Sequence, residues 1–142
     1  MSLDKPVAAT VTAEMPAPMP APKAVLDVVC LCADWCGTCR EYAATFEALQ
    51  QAMPGHRYRW IDIEDEADAI GDIDVETFPT LMLAHAGRLL FAGPVLPRLG
   101  DAQRLLEVQC EVAAAGGALA AATSGLPVDQ FEAFSALAAE LA

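Results

Sequence analysis

The stretch VLDVVCLCADWCGTCR, residues 25–40, decides the fold of this chain. Its first half is apolar almost throughout, which is typical of a strand buried on both faces of a sheet. Apolar side chains then recur at helical spacing until Met53, where Pro54 and Gly55 end the pattern. The sequence therefore predicts a buried strand that leads directly into an amphipathic helix, with residues 36–52 in that helix.

Cys36 and Cys39 lie three residues apart at this strand-to-helix junction. The first thiol falls where unpaired backbone N–H groups and the helix dipole favour a thiolate. The second falls one turn inside the helix, close enough to form a disulfide with the first. This arrangement predicts a dithiol switch.

Two segments together resemble the thioredoxin superfamily. Residues 33–40, with the motif WCGTC, resemble the family's active-site segment, and residues 75–81 (VETFPTL) resemble the loop that carries its cis-proline. Gly87 in a hairpin turn and Gly93 after the next strand also fit the family pattern. The resemblance covers residues 24–112 and implies an α/β, thioredoxin-like fold: a central mixed β-sheet flanked by helices, here with an extra C-terminal helix.

The resemblance also implies roles for particular residues. Cys36 is expected to be the attacking thiolate and Cys39 the resolving thiol, with the redox-active Cys36–Cys39 disulfide in place of any added cofactor and with no metal ligand. Pro79 is expected to be cis and to expose neighbouring backbone to an extended substrate. The residues expected to contact substrate are Trp35, Gly37, Thr38, Phe78, Pro79 and Gly93.

Three positions depart from the family pattern. Thr38 replaces a proline that is common in reducing thioredoxins, so their reduction potential does not transfer to this chain. Cys30 stands where thioredoxins bury an acidic residue, and Trp60 stands at the position of its lysine neighbour. Both charges are replaced by neutral groups, which avoids an unpaired buried charge but removes the internal proton acceptor for Cys39.

The remaining cysteines and both histidines are expected to have ordinary structural roles. Cys30 and Cys32 share one face of a strand at ~7 Å separation, a poor distance for a disulfide, so both are interpreted as small buried apolar residues. Cys110 is expected to be buried in a later helix. His56 and His85 are expected at the surface.

Composition narrows the classes of partner. The 142 residues carry a net charge of −12, which disfavours nucleic acid and anionic membrane surfaces. No apolar run reaches the ~18–20 residues that a transmembrane helix needs. We expect no nucleic-acid and no membrane partner, and a monomer in the cytoplasm. A signal segment upstream of these residues would instead direct the protein to the periplasm.

The chain divides into three predicted regions. Residues 1–23 are Pro/Ala-rich and predict a flexible segment, with an edge strand at 7–12 as a lesser alternative. Residues 24–112 form the thioredoxin-like domain, with a second strand at 57–63 and a hairpin about residues 86–87. Its later helix is predicted to begin at Asp101 as N-cap and to bury Leu105, Leu106, Val108 and Val112. Residues 113–142 form a C-terminal helical extension, expected to pack on its own domain or, less favourably, to serve a partner.

The leading functional hypothesis is a thiol–disulfide oxidoreductase that exchanges the Cys36–Cys39 pair with protein thiols. Its partners would be protein disulfide substrates and a reductase or upstream dithiol protein. One alternative is zinc binding by Cys30, Cys32, Cys36 and Cys39, although structural zinc sites usually draw their ligands from separated loops. The other is a protein-interaction module in which redox chemistry is incidental. Substrate, direction of electron flow and electron donor stay open.

Overall fold

A computed structural model describes residues 24–33, 37–75 and 78–141. The predicted segment 1–23, with its edge strand at 7–12, lies outside these ranges, as do Trp35 and Cys36. The elements in chain order are Asp27–Cys32 (β1), Gly37–Ala52 (α1), Arg57–Asp62 (β2), Ala67–Ile70 (α2), Thr80–His85 (β3), Arg88–Pro94 (β4), Leu99–Ala114 (α3) and Val128–Leu141 (α4), with a 3-10 turn at Ala121–Thr123.

The strands of the described residues form a mixed sheet in the order β2-β1-β3-β4. β1 pairs in parallel with β2 and antiparallel with β3, so both of its edges are hydrogen-bonded. All six residues of β1 are buried. The apolar run at residues 25–32 therefore predicted the central strand correctly, since only a strand covered on both faces needs such a sequence.

Different helices cover the two faces of the sheet. On one face α1 and α3 enclose a core that includes Tyr42, Phe46 and Leu106. On the other face Val29, Leu31, Ile61 and Met82 of the sheet pack against α2 and α4, with Phe134, Leu137 and Ala138 as the buried side chains of α4. The mixed sheet between helices confirms the predicted fold class, and the expectation that the C-terminal helix packs on its own domain is confirmed.

The hairpin between β3 and β4 turns at the predicted residues. Ala86 and Gly87 both have positive φ, 52° and 81°. Two successive left-handed residues give the turn that matches the twist of paired strands, and glycine tolerates this conformation without steric cost.

The predicted start and apolar face of α3 are wrong in part. The helix begins at Leu99 with Arg98 before it, so Asp101 lies in the first turn and is not the N-cap. An acidic side chain is favourable there because the exposed N–H groups of the first turn carry positive charge. Leu106 is fully buried, but Val108 is 50% exposed. Two residues after Leu106, Val108 is rotated by about 200° around the helix axis and therefore faces away from the sheet.

An ion pair joins the amino-terminal ends of β1 and β2. Asp27 is buried and faces Arg57 across the parallel pair, with Arg57 Nε 2.7 Å from Asp27 Oδ1. The same guanidinium donates to the carbonyl oxygen of Leu141 at 2.9 Å. The last turn of α4 is thus connected to the sheet by a polar contact as well as by its apolar face.

Phe134→Ala is expected to lower the free energy of unfolding by ~3–5 kcal/mol, because the phenyl ring is buried against the sheet and its removal leaves a cavity. Val128→Ala is the matched control in the same helix. Its side chain is 69% exposed, so the expected change is below ~0.5 kcal/mol. Urea unfolding of the two variants measures the difference, and equal losses would show that α4 does not stabilise the sheet.

Candidate functional site

The carboxyl end of β1, the start of α1 and the start of β3 meet at one edge of the sheet. Leu31 is paired with Thr80 in the antiparallel register, so the neighbouring positions Cys32 and Pro79 face each other at the end of this pairing. Cys39 lies in the first turn of α1. The Phe78–Pro79 peptide bond is cis. The two predicted segments that flank the site are therefore brought together by the sheet.

Cys39 forms a disulfide with Cys32, the last residue of β1. Their Cα atoms are 5.7 Å apart, within the usual range for a disulfide. Both cysteines are buried, with exposed fractions of 0% and 1%. The predicted burial of Cys32 is confirmed, but its interpretation as an inert apolar residue is wrong, because its sulfur is bonded to the helix.

Cys30 lies under this disulfide as a free thiol. Its Sγ is 3.8 Å from Cys32 Sγ, a contact and not a bond, which agrees with the expectation that these two residues form no disulfide with each other. Burial raises the pKa of the Cys30 thiol to about 12, so it is protonated at neutral pH.

The side chains around Cys30, beneath the Cys32–Cys39 disulfide, are mainly aromatic. Cys30 is paired with Trp60 in the parallel register, and the Trp60 ring packs at 5.8 Å from that of Phe46. Burial, together with the Coulomb effect of Cys30, raises the pKa of Tyr42. Within the described part of the chain the Tyr42 hydroxyl is buried without a hydrogen-bond partner. The sequence comparison of Cys30 and Trp60 with the family's acid and lysine thus identified two residues that do lie side by side.

The other predicted site residues have different surroundings. Gly37 and Thr38 are exposed at the start of α1. A Cβ atom on Gly37 would meet nothing within 4 Å, so neither space nor backbone conformation requires glycine there. Trp35 and Cys36 fall outside the described residues, and the Cys36–Cys39 pairing stays a prediction.

A groove of about 410 Å³ lies between the start of β3, the end of β4 and the start of α4, and the residue after Pro79 is part of its lining. Thr80, Gly93 and Phe134 are among its lining residues. The N–H of Val95 donates to the carbonyl oxygen of Pro79 at 3.1 Å, which joins the segment after β4 to the proline. A Cβ atom on Gly93 would lie 3.6 Å from the Phe91 ring, an ordinary contact, so the domain itself does not require glycine at this position. Phe78 is half-buried against the core.

His56 is partly buried, and its interpretation as a surface residue is wrong. Its Nδ1 accepts a hydrogen bond from the N–H of Leu26 at 3.1 Å, and its Nε2 lies 3.6 Å from Cys110 Sγ. His85 has Nδ1 at 2.9 Å from the carbonyl oxygen of Val25. Both rings thus satisfy backbone groups next to β1, which no local sequence pattern indicates.

Two further observations on the described ranges concern metal binding and membrane spanning. No group of three or more Cys, His, Asp or Glu side chains in them is arranged to hold a metal ion. The four-cysteine zinc hypothesis also includes Cys36 and so stays a prediction. No helix in the same ranges has both the length and the apolar character needed to cross a bilayer.

Comparison with known proteins places this chain in a family. The family model described as Thioredoxin matches residues 21–93, about half of the chain. The chain therefore belongs to the thioredoxin family, as the two sequence motifs indicated. The family model ends within β4, so α3 and α4 lie beyond it.

Individual relatives agree with this assignment. The chain is 31% identical over 65 residues to thioredoxin H-type 2 of Nicotiana tabacum, which is 46% of this chain and 55% of that protein. Thioredoxin H1 of Arabidopsis thaliana is also 31% identical over 65 residues, which is 57% of its length. The chain thus spans little more than half the length of these curated relatives.

Among solved structures, the X-ray structure of Fasciola hepatica thioredoxin is similar in fold, with a TM-score of 0.55 at 24% identity. The match covers 61% of this chain and 83% of that one.

The raised pKa of Cys30 predicts a pH-dependent contribution to stability. Below pH ~8.5 the thiol is protonated in the folded and unfolded protein alike. Between pH ~8.5 and 12 the unfolded thiol loses its proton while the buried thiol keeps it, so the free energy of unfolding falls as pH rises. Urea unfolding of the fully reduced proteins is measured at pH 7.5 and 10. Between these two pH values the free energy of unfolding is expected to fall more for wild type than for Cys30→Ala. Equal losses would contradict this.

Proposed function

We propose that this protein is a thiol–disulfide oxidoreductase that exchanges a dithiol, Cys36 and Cys39, with disulfides of other proteins. The observation that carries the proposal is the position of Cys39. It lies in the first turn of a helix, at the edge where β1 and the cis-proline meet, within a thioredoxin-family chain.

The exchange would proceed in two balanced steps. The Cys36 thiolate attacks one sulfur of a substrate disulfide, so that a mixed disulfide forms and the first substrate thiolate leaves. The Cys39 thiolate then attacks Cys36 Sγ, so that the Cys36–Cys39 disulfide forms and the second substrate thiolate leaves. The substrate gains two electrons and the protein loses two. The reverse sequence would oxidise a substrate dithiol.

The burial of Cys39 supports its role as the second nucleophile. Its side chain is 1% exposed, so a large substrate has no direct access to this sulfur. An intramolecular partner at a helix start is the kind of target that such a thiol can reach.

The groove beside Pro79 supports a protein or peptide as substrate. It combines the partly buried Gly93, at the end of the edge strand β4, with an apolar wall that includes Phe134. An extended chain laid along Gly93, on the edge strand β4, would bind through main-chain hydrogen bonds and through shallow apolar contacts. In this proposal Phe78 and Pro79 orient the substrate disulfide, and Trp35, Gly37 and Thr38 contact it from the other side.

The electrons would come from a reductase or an upstream dithiol protein, because the chemistry needs no cofactor beyond the cysteines.

The lack of a charged group beneath Cys39 affects the rate at which Cys39 loses its proton. Cys30 keeps its proton at neutral pH and cannot accept the proton of Cys39, so solvent or exposed groups must do so. We propose a monomer that acts on protein disulfides in the cytoplasm, with the periplasm as the alternative compartment.

Cys36→Ser is expected to abolish reduction of a protein disulfide substrate such as insulin, because the attacking thiolate is lost. Cys39→Ser is expected to accumulate mixed disulfides with the substrate, since attack still occurs and release does not. Non-reducing electrophoresis and mass spectrometry of the trapped species measure this. Faster labelling of Cys39 than of Cys36 by iodoacetamide in the reduced protein would contradict the assigned roles.

Cys30→Asp is expected to speed the release of a Cys36 mixed disulfide at neutral pH, because a carboxylate beneath the site can accept the Cys39 proton. In wild type, release is expected to be slow at pH 6 and to quicken towards pH ~8–9, where thiols ionise.

The same variant is expected to lower the free energy of unfolding, because the carboxylate is buried without a cation. Cys30→Ala is the control, since it removes the thiol and adds no proton acceptor. Stopped-flow release of a fluorescent mixed disulfide between pH 6 and 9 compares the three proteins. Equal rates in wild type and Cys30→Asp, or a flat wild-type profile, would refute the proposed cause.

A further inference from the structure

The cysteine pairing in the structure differs from the pairing that the family motif implies. Cys39 is bonded to Cys32, which lies four residues before Cys36 and outside the CxxC motif. One sulfur comes from the end of β1 and the other from the first turn of α1. This bond therefore crosslinks the central strand to the helix that follows it.

We propose that Cys32 is a second redox partner of Cys39, and that the buried Cys32–Cys39 disulfide is a stored oxidised form of the protein. Nothing in the CxxC motif or in the relatives described above assigns a role to this position. The pairing itself involves only described residues. Its link to turnover rests on the proposed function, in which Cys36 and Cys39 form the exposed exchange pair.

The stored form would arise by internal thiol–disulfide exchange. The Cys32 thiolate attacks Cys39 Sγ of a Cys36–Cys39 disulfide, so that the Cys32–Cys39 bond forms, the Cys36–Cys39 bond breaks and Cys36 leaves as a thiolate. The proton lost by Cys32 passes to solvent or to Cys36. No electrons enter or leave in this step, because the disulfide was already made by a substrate or by a low-molecular-weight disulfide.

Geometry favours Cys32 over Cys30 as the partner. Both residues are buried on the same face of β1, but Cys32 is the last residue of the strand and lies nearer to the helix start. Cys30 remains a free thiol in contact with Cys32 Sγ at 3.8 Å.

The stored form would suspend turnover. With Cys39 bonded to Cys32, a mixed disulfide on Cys36 has no resolving thiol, and reaction stops after the first step. Neither sulfur of the stored disulfide is accessible, with 0% and 1% exposure, so an external thiol reaches it slowly. Reactivation would run mainly through the reverse exchange, in which the Cys36 thiolate attacks Cys39 and frees Cys32.

The chain offers a direct test because Asp34 separates the two halves of the site. Cleavage on the amino-terminal side of aspartate and glutamate divides residues 27–33, which carry Cys30 and Cys32, from residues 34–40, which carry Cys36 and Cys39. A Cys36–Cys39 disulfide stays inside the second peptide, whereas a Cys32–Cys39 disulfide joins the two peptides. The protein is refolded in mixed reduced and oxidised glutathione, alkylated with N-ethylmaleimide, denatured, digested and analysed by mass spectrometry.

Wild type and Cys36→Ser are both expected to give the joined peptide pair. Cys32→Ala is expected to lose it, and Cys30→Ala, the control at an equally buried position on the same strand, is expected to retain it. Absence of the pair from wild type and Cys36→Ser would overturn the proposal. So would a pair that persists in Cys32→Ala and disappears in Cys30→Ala. The wild-type digest needs no substitution, so a variant that fails to fold leaves the test intact.

Activity distinguishes this proposal from the proposed function. Oxidised wild type is expected to show a lag before it reduces insulin in the presence of dithiothreitol, and oxidised Cys32→Ala is expected to show none. Equal lags in the two proteins would overturn the stored form while leaving the Cys36–Cys39 exchange standing. Loss of all insulin reduction by fully reduced wild type, with the joined peptides present in the oxidised protein, would instead refute the proposed function.

Discussion

The pairing of β1 on both of its edges is the constraint on which the rest of the structure depends. A strand between two neighbours has no exposed edge, and its side chains alternate between two faces that must both be covered. One face is covered by α1 and α3, and the other by α2 and α4. The same pairing fixes where β1 ends, and so it places Cys32 opposite Pro79 and beside the first turn of α1.

The sequence predicted those features that local patterns determine. The apolar run identified β1, the helical spacing after Cys39 identified α1, and the Ala86-Gly87 pair between two apolar runs identified the hairpin. The start of α3 was less predictable because Asp101 is favourable both as an N-cap and inside the first turn. The choice depends on how Arg98 and Leu99 are positioned by the preceding strand, and this is tertiary information.

The partner of Cys39 could not be predicted for a related reason. Strand periodicity shows that Cys30 and Cys32 share a face, and it correctly excludes a bond between them. It does not show how the first turn of α1 is oriented over the end of the strand, which brings Cys32 within reach of Cys39. The seven-residue separation of Cys32 and Cys39 does not by itself indicate a disulfide.

The order in which the chain is synthesised gives the position of α4 a further consequence. Every described strand precedes α4 in sequence. The strands can therefore pair with one another before the ribosome has made residues 128–141. Until then Val29, Leu31 and Met82 lack the cover that Phe134 and Leu137 provide. A nascent chain with a bare apolar sheet face is a target for chaperones and for aggregation. Burial of this face of the sheet therefore has to wait until residues 128–141 have been made and α4 can pack on the paired strands.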